Sequence, residues 1–336
     1  MLGAGGAVLG SSGLLAACGG QQEQGGGEGV GNFPSTPQFE FVFVNHVTTN
    51  EFFTPTRYGA EDACAILGCK YQWTGSETSE AAEMVNAMNA AISRGVDGIA
   101  VSLVDTKAFN GPTEQALAKG IPVVAYNADV DNARLGYIGQ DLYTSGYEMG
   151  KRIVDLVGEG KVALFIATPG QLNIQPRIDG AVDAIKESGA PIDAKEIATG
   201  AEVPEELRRI ESWYLGNKDV KGMFAVDAGS TQGVGQVMDK YGLHDKGVRG
   251  GGYDLLPKTL ELIQKGSLDF TIDQEPYQQG FLPVLYLWMY HLSGGLLVPP
   301  ETNTGLVFIT RETVGPFLRT ESRYEGSTGE QKYIKG

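Results

Sequence analysis

Short apolar runs alternate along the chain with longer amphipathic stretches. Five runs in the first half predict strands at about 40–45, 71–75, 97–102, 122–126 and 136–140. A second series predicts strands at 161–167, about 195–199, 222–226, 248–253 and 268–273. Helices are predicted between them, as at Ala81–Ser93, where Met84, Met88 and Ile92 lie on one apolar stripe. Regular alternation of strand and helix favours parallel sheets covered by helices.

The spacing of the strands repeats. Strand starts are roughly 30, 27 and 24 residues apart in the first half, and roughly 33, 27 and 26 in the second. This indicates two similar doubly wound lobes in tandem, an α/β fold with two parallel sheets. A chain of 336 residues, 42% of them hydrophobic, is long enough for two separate cores.

The stretch Gly250–Gly280 places two polar residues at one sheet edge. Asp254 follows a predicted strand and precedes Pro257, which suits the first turn of a helix. Gln274 follows the next strand, just before Pro276. Open α/β sheets bind ligands at the carboxyl ends of their strands, so we expect Asp254 and Gln274 to face a ligand.

These two motifs, in this order and twenty residues apart, resemble those of the periplasmic sugar-binding proteins of the ribose-binding type. In that family, the solute receptors of ABC importers, the Asp and the Gln both touch the sugar. The resemblance implies a type I periplasmic binding protein, two lobes joined by a three-stranded hinge. The expected crossings lie near Gln140, near Asp273–Pro276 and near Asn303, with helix Tyr277–Leu292 returning to the first lobe.

The resemblance also sets the expected domain bounds. The N-terminal lobe would comprise 38–140 plus 276–303, and the C-terminal lobe 141–275 plus 304–320. The polar segment 321–336 is expected to form a loosely packed tail.

Further contact residues are implied in the first lobe. Asn50, Phe52 and Phe53 match the family's first binding loop, in which aromatic rings cover the C–H face of a sugar. Core packing at a helix start is the alternative for the two rings. His46 occupies a position that often faces the cleft, although a lone histidine is more often structural.

The next first-lobe motif departs from the family. Asn127 takes the place of an Asp, Ala128 replaces an Arg, and Asp129 adds a carboxylate. We therefore expect Asn127 and Asp129 as contacts, and ribose itself as a poor ligand.

In the second lobe, Asn173 and Arg177 resemble a family turn that leads into a helix. Arg177 would donate several hydrogen bonds in a fixed fork, unless it forms a surface salt bridge with Asp179. Asp227, at another strand end, is the remaining expected contact. Together these groups suit a neutral monosaccharide or sugar alcohol.

Composition and motifs exclude several other functions. A formal charge of −15 argues against nucleic acid and against anionic lipid headgroups. The sequence lacks a phosphate-binding loop and a nucleophile elbow, and its three histidines lack metal-ligand spacing. We therefore expect neither an enzyme, a cofactor nor a metal site. The alternative function is the effector domain of a lac-repressor-like regulator, which shares the fold.

Three cysteines bear on location. Leu14–Cys18 resembles a bacterial lipobox, so residues 1–18 are expected to be a lipoprotein signal with Cys18 acylated. Residues 19–37 are rich in Gly and Gln and are predicted to be a flexible tether. Cys64 and Cys69 could form a disulfide in an oxidising compartment, or remain two buried thiols.

The implied function is therefore capture of a sugar or polyol by hinge closure, and its delivery to an ABC transporter permease. The protein would be a monomer outside the cytoplasm, periplasmic or held to the outer face of the cytoplasmic membrane by its lipid alone.

Overall fold

The computed structural model describes residues 35–296 and 298–332. The predicted lipobox with Cys18, and the predicted signal segment that it ends, lie outside the described residues. All ten predicted strands are present, and their ends differ from the predicted ones by at most three residues. In the first half they are β1 (Glu40–Asn45), β2 (Lys70–Gly75), β3 (Gly98–Val101), β4 (Val123–Tyr126) and β5 (Gly136–Gly139). In the second they are β6 (Gly160–Ile166), β7 (Ile192–Ala198), β8 (Gly222–Ala225), β9 (Arg249–Tyr253) and β10 (Phe270–Asp273).

Ten helices cover the sheets within the described chain. In order they are α1 (Thr54–Leu67), α2 (Ala81–Arg94), α3 (Asn110–Ala118), α4 (Leu142–Val157), α5 (Gln175–Ser188), α6 (Val203–Gly216), α7 (Ala228–Tyr241), α8 (Pro257–Lys265), α9 (Gln278–Leu292) and α10 (Gly315–Arg319). Each sheet has a buried apolar cluster on both faces, as expected for strands that are buried on both sides. No helix of the described residues is long and apolar enough to span a membrane.

The two sheets have the same strand order. The first runs β11-β5-β4-β3-β1-β2 and the second β12-β10-β9-β8-β6-β7, where β11 is Glu301–Asn303 and β12 is Val307–Ile309. All neighbouring strands of the first sheet are parallel. In the second sheet β12 is antiparallel to β10 at the edge, and the other neighbours are parallel. The predicted fold class, two doubly wound parallel-sheet lobes joined by a hinge, is confirmed.

Gln140 joins the three chain segments of the hinge. It follows β5, and its amide Nε2 donates to the carbonyl oxygens of Gly305 at 2.9 Å and Asp273 at 3.5 Å. Helix α9 packs against α1 so closely that a Cβ on Gly280 would lie 1.8 Å from the Thr56 carbonyl oxygen. Hydrogen bonds through Gln140 therefore hold the hinge segments together, and close packing fixes α9 against α1 of the first lobe.

The predicted disulfide is not formed in the structure. Cys64 and Cys69 are both buried and free. Their side chains share a hydrogen bond, and the backbone N–H of Cys69 donates to the Cys64 carbonyl at the end of α1. The alternative interpretation, two buried thiols, describes what the structure contains.

The segment 321–332, expected to be a loosely packed tail, is held against the first lobe through Arg323. Arg323 is 9% exposed and forms ion pairs with Glu61 and Asp62 of α1, while its guanidinium lies 4.1 Å from the Tyr58 ring centroid. A polar tail can pack because a buried arginine fork satisfies two carboxylates at once. Helix α10 packs with the second lobe, so the segment after it, here called the C-terminal strap (residues 320–332), crosses back to the first lobe.

Candidate functional site

Two residues occupy equivalent positions in the two lobes. Asn127 follows the Tyr that ends β4, and Asp254 follows the Tyr that ends β9. Both have left-handed backbones, with φ of 63° and 76°, and the backbone N–H of each donates to a carbonyl of the next strand of its sheet, Ile138 at 3.1 Å and Ile272 at 2.8 Å. Asn and Asp tolerate this conformation better than other residues with a Cβ, and it concentrates at functional sites. The fold thus presents one polar side chain per lobe at facing sheet edges.

Asp254 is a buried carboxyl group, 4% exposed, and it does not cap a helix. Its Oδ1 accepts a hydrogen bond from Gln274 Nε2 at 2.7 Å. Burial raises the pKa of Asp254 to about 7, although the Arg177 guanidinium and the Gln274 amide oppose that rise. The predicted neighbours Asp254 and Gln274 are therefore brought together, and no side chain or backbone group of the described residues donates to Oδ2.

Asn173 and Arg177 supply the second lobe's other polar groups. Arg177 is 2% exposed, donates to the Val226 carbonyl at 2.8 Å and to Gln140 Oε1 at 3.2 Å, and lies over the Tyr253 ring. The surface salt bridge considered for Arg177 is therefore not formed. Its Nε and the Oδ1 of Asn173 are buried without a hydrogen-bond partner among the described residues. Buried polar atoms of this kind are costly unless something else satisfies them.

Close helix packing fixes the position of Arg177. Helix α4 lies so near the first turn of α5 that a Cβ on Gly146 would be 2.1 Å from the Arg177 carbonyl oxygen. Pro176 also stands in that first turn, where its missing N–H costs nothing. The guanidinium is thereby held at the carboxyl edge of the second sheet.

His46 joins the two lobes. Asn173 Nδ2 donates to His46 Nε2 at 3.1 Å, so the ring's other nitrogen, Nδ1, carries the proton and donates to Ser102 at 3.0 Å. Burial lowers the pKa of His46 to about 3, which keeps the ring neutral. Both ring nitrogens are thus used by the protein, and His46 orients Asn173.

One loop of the second lobe makes further contacts with the first. Gln171 Nε2 donates to the Ser79 carbonyl at 2.8 Å, and the Ser79 hydroxyl donates to Gln171 Oε1 at 2.7 Å. The backbone N–H of Leu172 donates to the Val104 carbonyl at 3.0 Å. The lobes therefore touch across the cleft, and the polar site lies between them.

The aromatic residues of the first loop pack mainly into the first lobe's core. Phe52 and Phe53 are 9% and 2% exposed, and Phe53 lies edge-on to His46 with ring centroids 5.2 Å apart. Asn50 caps the short turn that they form, its Oδ1 accepting from the Phe52 N–H at 2.9 Å. The partly buried ring of Trp73, at the carboxyl end of β2, adjoins Phe53.

Two predicted contacts have their carboxylates occupied elsewhere. Asp129 forms a two-pronged ion pair with Arg134, beside the first sheet. Asp227 caps α7, accepting from the Ser230 N–H at 2.8 Å and from the Ala167 N–H at 2.9 Å. Both carboxylates are therefore already paired within the protein, unlike the free atoms of Asn173 and Arg177.

Glu206 of α6 is a buried acid that the sequence analysis missed. Burial and the neighbouring Asp227 carboxylate raise the pKa of Glu206 to about 10, so at neutral pH it is protonated. An acid whose pKa is raised by folding binds its proton more tightly in the folded state. Glu206 therefore lowers the free energy of unfolding progressively as pH rises from about 4.5 towards about 10.

Glu206→Gln should therefore stabilise the protein increasingly as pH rises. Linkage gives a gain over wild type, between pH 4 and pH 7, of about 3 kcal/mol. Calorimetric melting temperatures of both proteins at pH 4, 7 and 8 measure it. A difference that stays constant with pH would show that Glu206 ionises normally.

Three residues beyond the predicted set belong to the site's polar layer: Gln140, Gln171 and Gln279. Gln140 follows a strand, so the rule that polar residues at strand ends face a ligand could have identified it. Gln279 lies within a helix and Gln171 within a loop, where no local pattern marks them. The described residues hold no group of three acidic, His or Cys side chains that could bind a metal.

Comparison with known proteins places this fold and site in a family. Residues 41–295 match the family model described as periplasmic binding protein domain, and the chain belongs to that family. The chain is 52% identical over 314 residues to the xylose/arabinose-binding protein XylF of Sulfolobus acidocaldarius, covering 89% of this chain and 77% of that protein.

Two further matches are a curated relative of lower identity and a solved structure. The D-galactose/methyl-galactoside binding periplasmic protein MglB of Haemophilus influenzae is 25% identical, over 66% of this chain and 71% of its own. The solved structure of an ABC transporter solute-binding protein from Burkholderia graminis, in complex with D-arabinose, superimposes with a TM-score of 0.78. It is 25% identical and the match covers 84% of this chain and 99% of that one.

Proposed function

We propose that this protein captures a neutral pentose between its lobes and delivers it to an ABC transporter permease. The observation that carries the proposal is the set of buried polar atoms without protein partners. Two of them belong to the predicted contacts: Asn173 Oδ1, whose amide nitrogen bonds to His46 of the other lobe, and Arg177 Nε, whose guanidinium charge lowers the pKa of Asp254. Sugar hydroxyls both donate and accept, so one ligand can satisfy acceptors and a donor together.

The choice of pentose rests on the relatives and on one residue. The 52% identical relative is named for xylose and arabinose, and one solved neighbour holds D-arabinose. Ala128 stands where ribose receptors have an Arg, and it is fully buried. We therefore expect xylose or arabinose to bind more tightly than ribose.

Titration calorimetry with D-xylose, L-arabinose, D-arabinose, D-ribose and D-galactose tests the proposal. Tightest binding of a xylose or arabinose supports it. Tightest binding of ribose would overturn the assigned pentose, and no binding of any sugar, alone or in a wider thermal-shift panel, would overturn sugar capture itself.

Closure of the lobes on the ligand is part of the proposal. The pairs His46–Asn173 and Ser79–Gln171 join lobes that separate in an open form, so they would form as the ligand is enclosed. Small-angle scattering with and without the bound pentose should show a more compact loaded protein. An unchanged radius of gyration would argue against hinge closure.

Location and partners complete the proposal. Members of the periplasmic binding protein family act outside the cytoplasm, and the motif at Cys18 supports a lipid anchor. Intact-mass analysis of protein extracted from membranes tests acylation at Cys18. We infer a monomer that contacts the permease and needs no cofactor. The relatives favour this receptor over the effector domain of a lac-repressor-like regulator.

A further inference from the structure

Four buried side chains form a continuous hydrogen-bonded chain through the hinge. Asn127 Nδ2 donates to Gln279 Oε1 at 3.1 Å, Gln279 Nε2 donates to Gln274 Oε1 at 3.2 Å, and Gln274 Nε2 donates to Asp254 Oδ1 at 2.7 Å. All four residues are at most 4% exposed. The chain starts at the polar position of the first lobe and ends at its equivalent in the second.

The chain has a direction, because every link runs from an amide nitrogen to an oxygen. Asp254 ends it as an acceptor, which requires Gln274 to point its nitrogen there and its oxygen back towards Gln279. Gln279 must then present its nitrogen to Gln274 and its oxygen to Asn127. As a result Asn127 turns its Oδ1 away from the chain, free to accept from a ligand.

Gln279 is the central member of the chain. It lies on α9, is 0% exposed, and its Nε2 is also 3.1 Å from the Gln274 carbonyl and 3.3 Å from the Thr304 hydroxyl. The close packing of Gly280 on α1 fixes the helix that carries it. Because Gln279 bonds to both Asn127 and Gln274, its orientation fixes the orientation of an amide in each direction along the chain.

We propose that Gln279 is a positioning residue for sugar binding, which orients Asn127 and Gln274 without touching the ligand. The proposal rests on the proposed function for the identity of the bound group. It extends that function by assigning a residue outside the cleft a share of the affinity.

Two substitutions test the proposal against D-xylose and L-arabinose by calorimetry. Gln279→Met preserves the length of the side chain but removes both polar groups. Asn127 and Gln274 then lose their orientation, which we expect to weaken ligand binding by about the free energy of one hydrogen bond, or about tenfold in affinity. Gln279→Glu replaces the donor by an acceptor and should reduce affinity at pH 8. Protonation restores the donor, so its affinity relative to wild type should recover at pH 4.

Measuring each variant against wild type at the same pH removes the effects of Asp254 and Asp273, the acids nearest the chain, whose pKa values burial raises to about 7 and about 6. Gln278→Met is the matched control, because Gln278 bonds only to Glu275 and should bind as wild type does. Affinity recovery at low pH for Gln279→Glu, and none for Gln279→Met, would separate orientation from general damage.

A second measurement requires no ligand. Side-chain amide signals of Asn127 and Gln274 in NMR spectra should both shift in Gln279→Met and remain in place in Gln278→Met. Unchanged amide signals, or wild-type affinity for both pentoses in Gln279→Met, would overturn the positioning role. If the wild type binds neither pentose, the pentose assignment fails, and the amide signals still decide the role of Gln279.

Discussion

Asp254→Ala should reduce sugar affinity a hundredfold or more. The carboxylate lies at the enclosed edge of the second sheet, with Oδ1 held by Gln274 and Oδ2 free to accept from a hydroxyl. Hydrogen bonds to a charged group contribute roughly 1.5–3 kcal/mol each, and alanine removes both the bond from the ligand and the bond that orients Gln274, so the loss should be about 3 kcal/mol or more. Calorimetry with the tightest-binding pentose measures the loss.

The stability of the ligand-free variant provides the second readout. Burial raises the pKa of Asp254 to about 7, so its ionised form destabilises the fold at neutral pH, and alanine removes that cost. Against this, alanine at φ 76° costs about 1 kcal/mol, and the buried Gln274 amide loses its acceptor, which costs about 1–3 kcal/mol more. The melting temperature should therefore change little. A clearly destabilised variant with unchanged affinity would show that Asp254 is structural.

Asp269→Ala is the matched control. Asp269 is a carboxylate at the opposite end of the same strand pair, and it accepts from the Gly250 N–H at 2.9 Å and faces His244 and Arg249. Its removal should lower the melting temperature and leave affinity unchanged. Asp254→Asn, which keeps the left-handed backbone and the Oδ1 acceptor, should lose less affinity than alanine.

Arg177→Met should also reduce affinity at least a hundredfold, by two routes. It removes the buried Nε donor that has no partner in the protein. It also removes the positive charge that holds down the pKa of Asp254, so that this carboxyl stays protonated to higher pH. Calorimetry at pH 7 and pH 9 checks both, because the second loss should shrink at the higher pH.

Arg177→Met should also lower the stability of the fold, because the Val226 carbonyl and Gln140 Oε1 lose their donor. Arg177→Lys limits that damage by keeping the charge, yet an ammonium cannot reproduce the planar fork, so affinity should still drop. Arg152→Met is the control, because Arg152 lies over the Phe270 and Phe308 rings away from the cleft. Normal affinity in Arg177→Lys would argue that a positive charge alone is sufficient.

The sequence was sufficient to predict the two lobes because their strands are short apolar runs with regular spacing. It also predicted that Asp254 and Gln274 would be neighbours, since both follow adjacent parallel strands. Such rules act locally along the chain, and they place a residue at a sheet edge whatever its side chain then does.

The fate of each side chain depends on partners that come from elsewhere in the chain. Asp227 follows a strand as Asp254 does, but the Ala167 N–H, from the end of β6, occupies one of its oxygens. Asp129 meets Arg134 across a loop. Gln279 faces inward from a helix, and only the packing of α9 on the first lobe turns it towards Asn127. No pattern of polar and apolar positions contains that information.

The C-terminal strap determines where fluorescent dyes can report closure of the lobes. Residue 35 leads into β1, and the strap carries Arg323 back to Glu61 and Asp62 on α1, so both ends of the described chain belong to one lobe. Fluorescent dyes at these two ends would keep a fixed separation whether the cleft is open or shut. A usable optical sensor needs one dye on the other lobe, for example at the exposed Leu215 of α6.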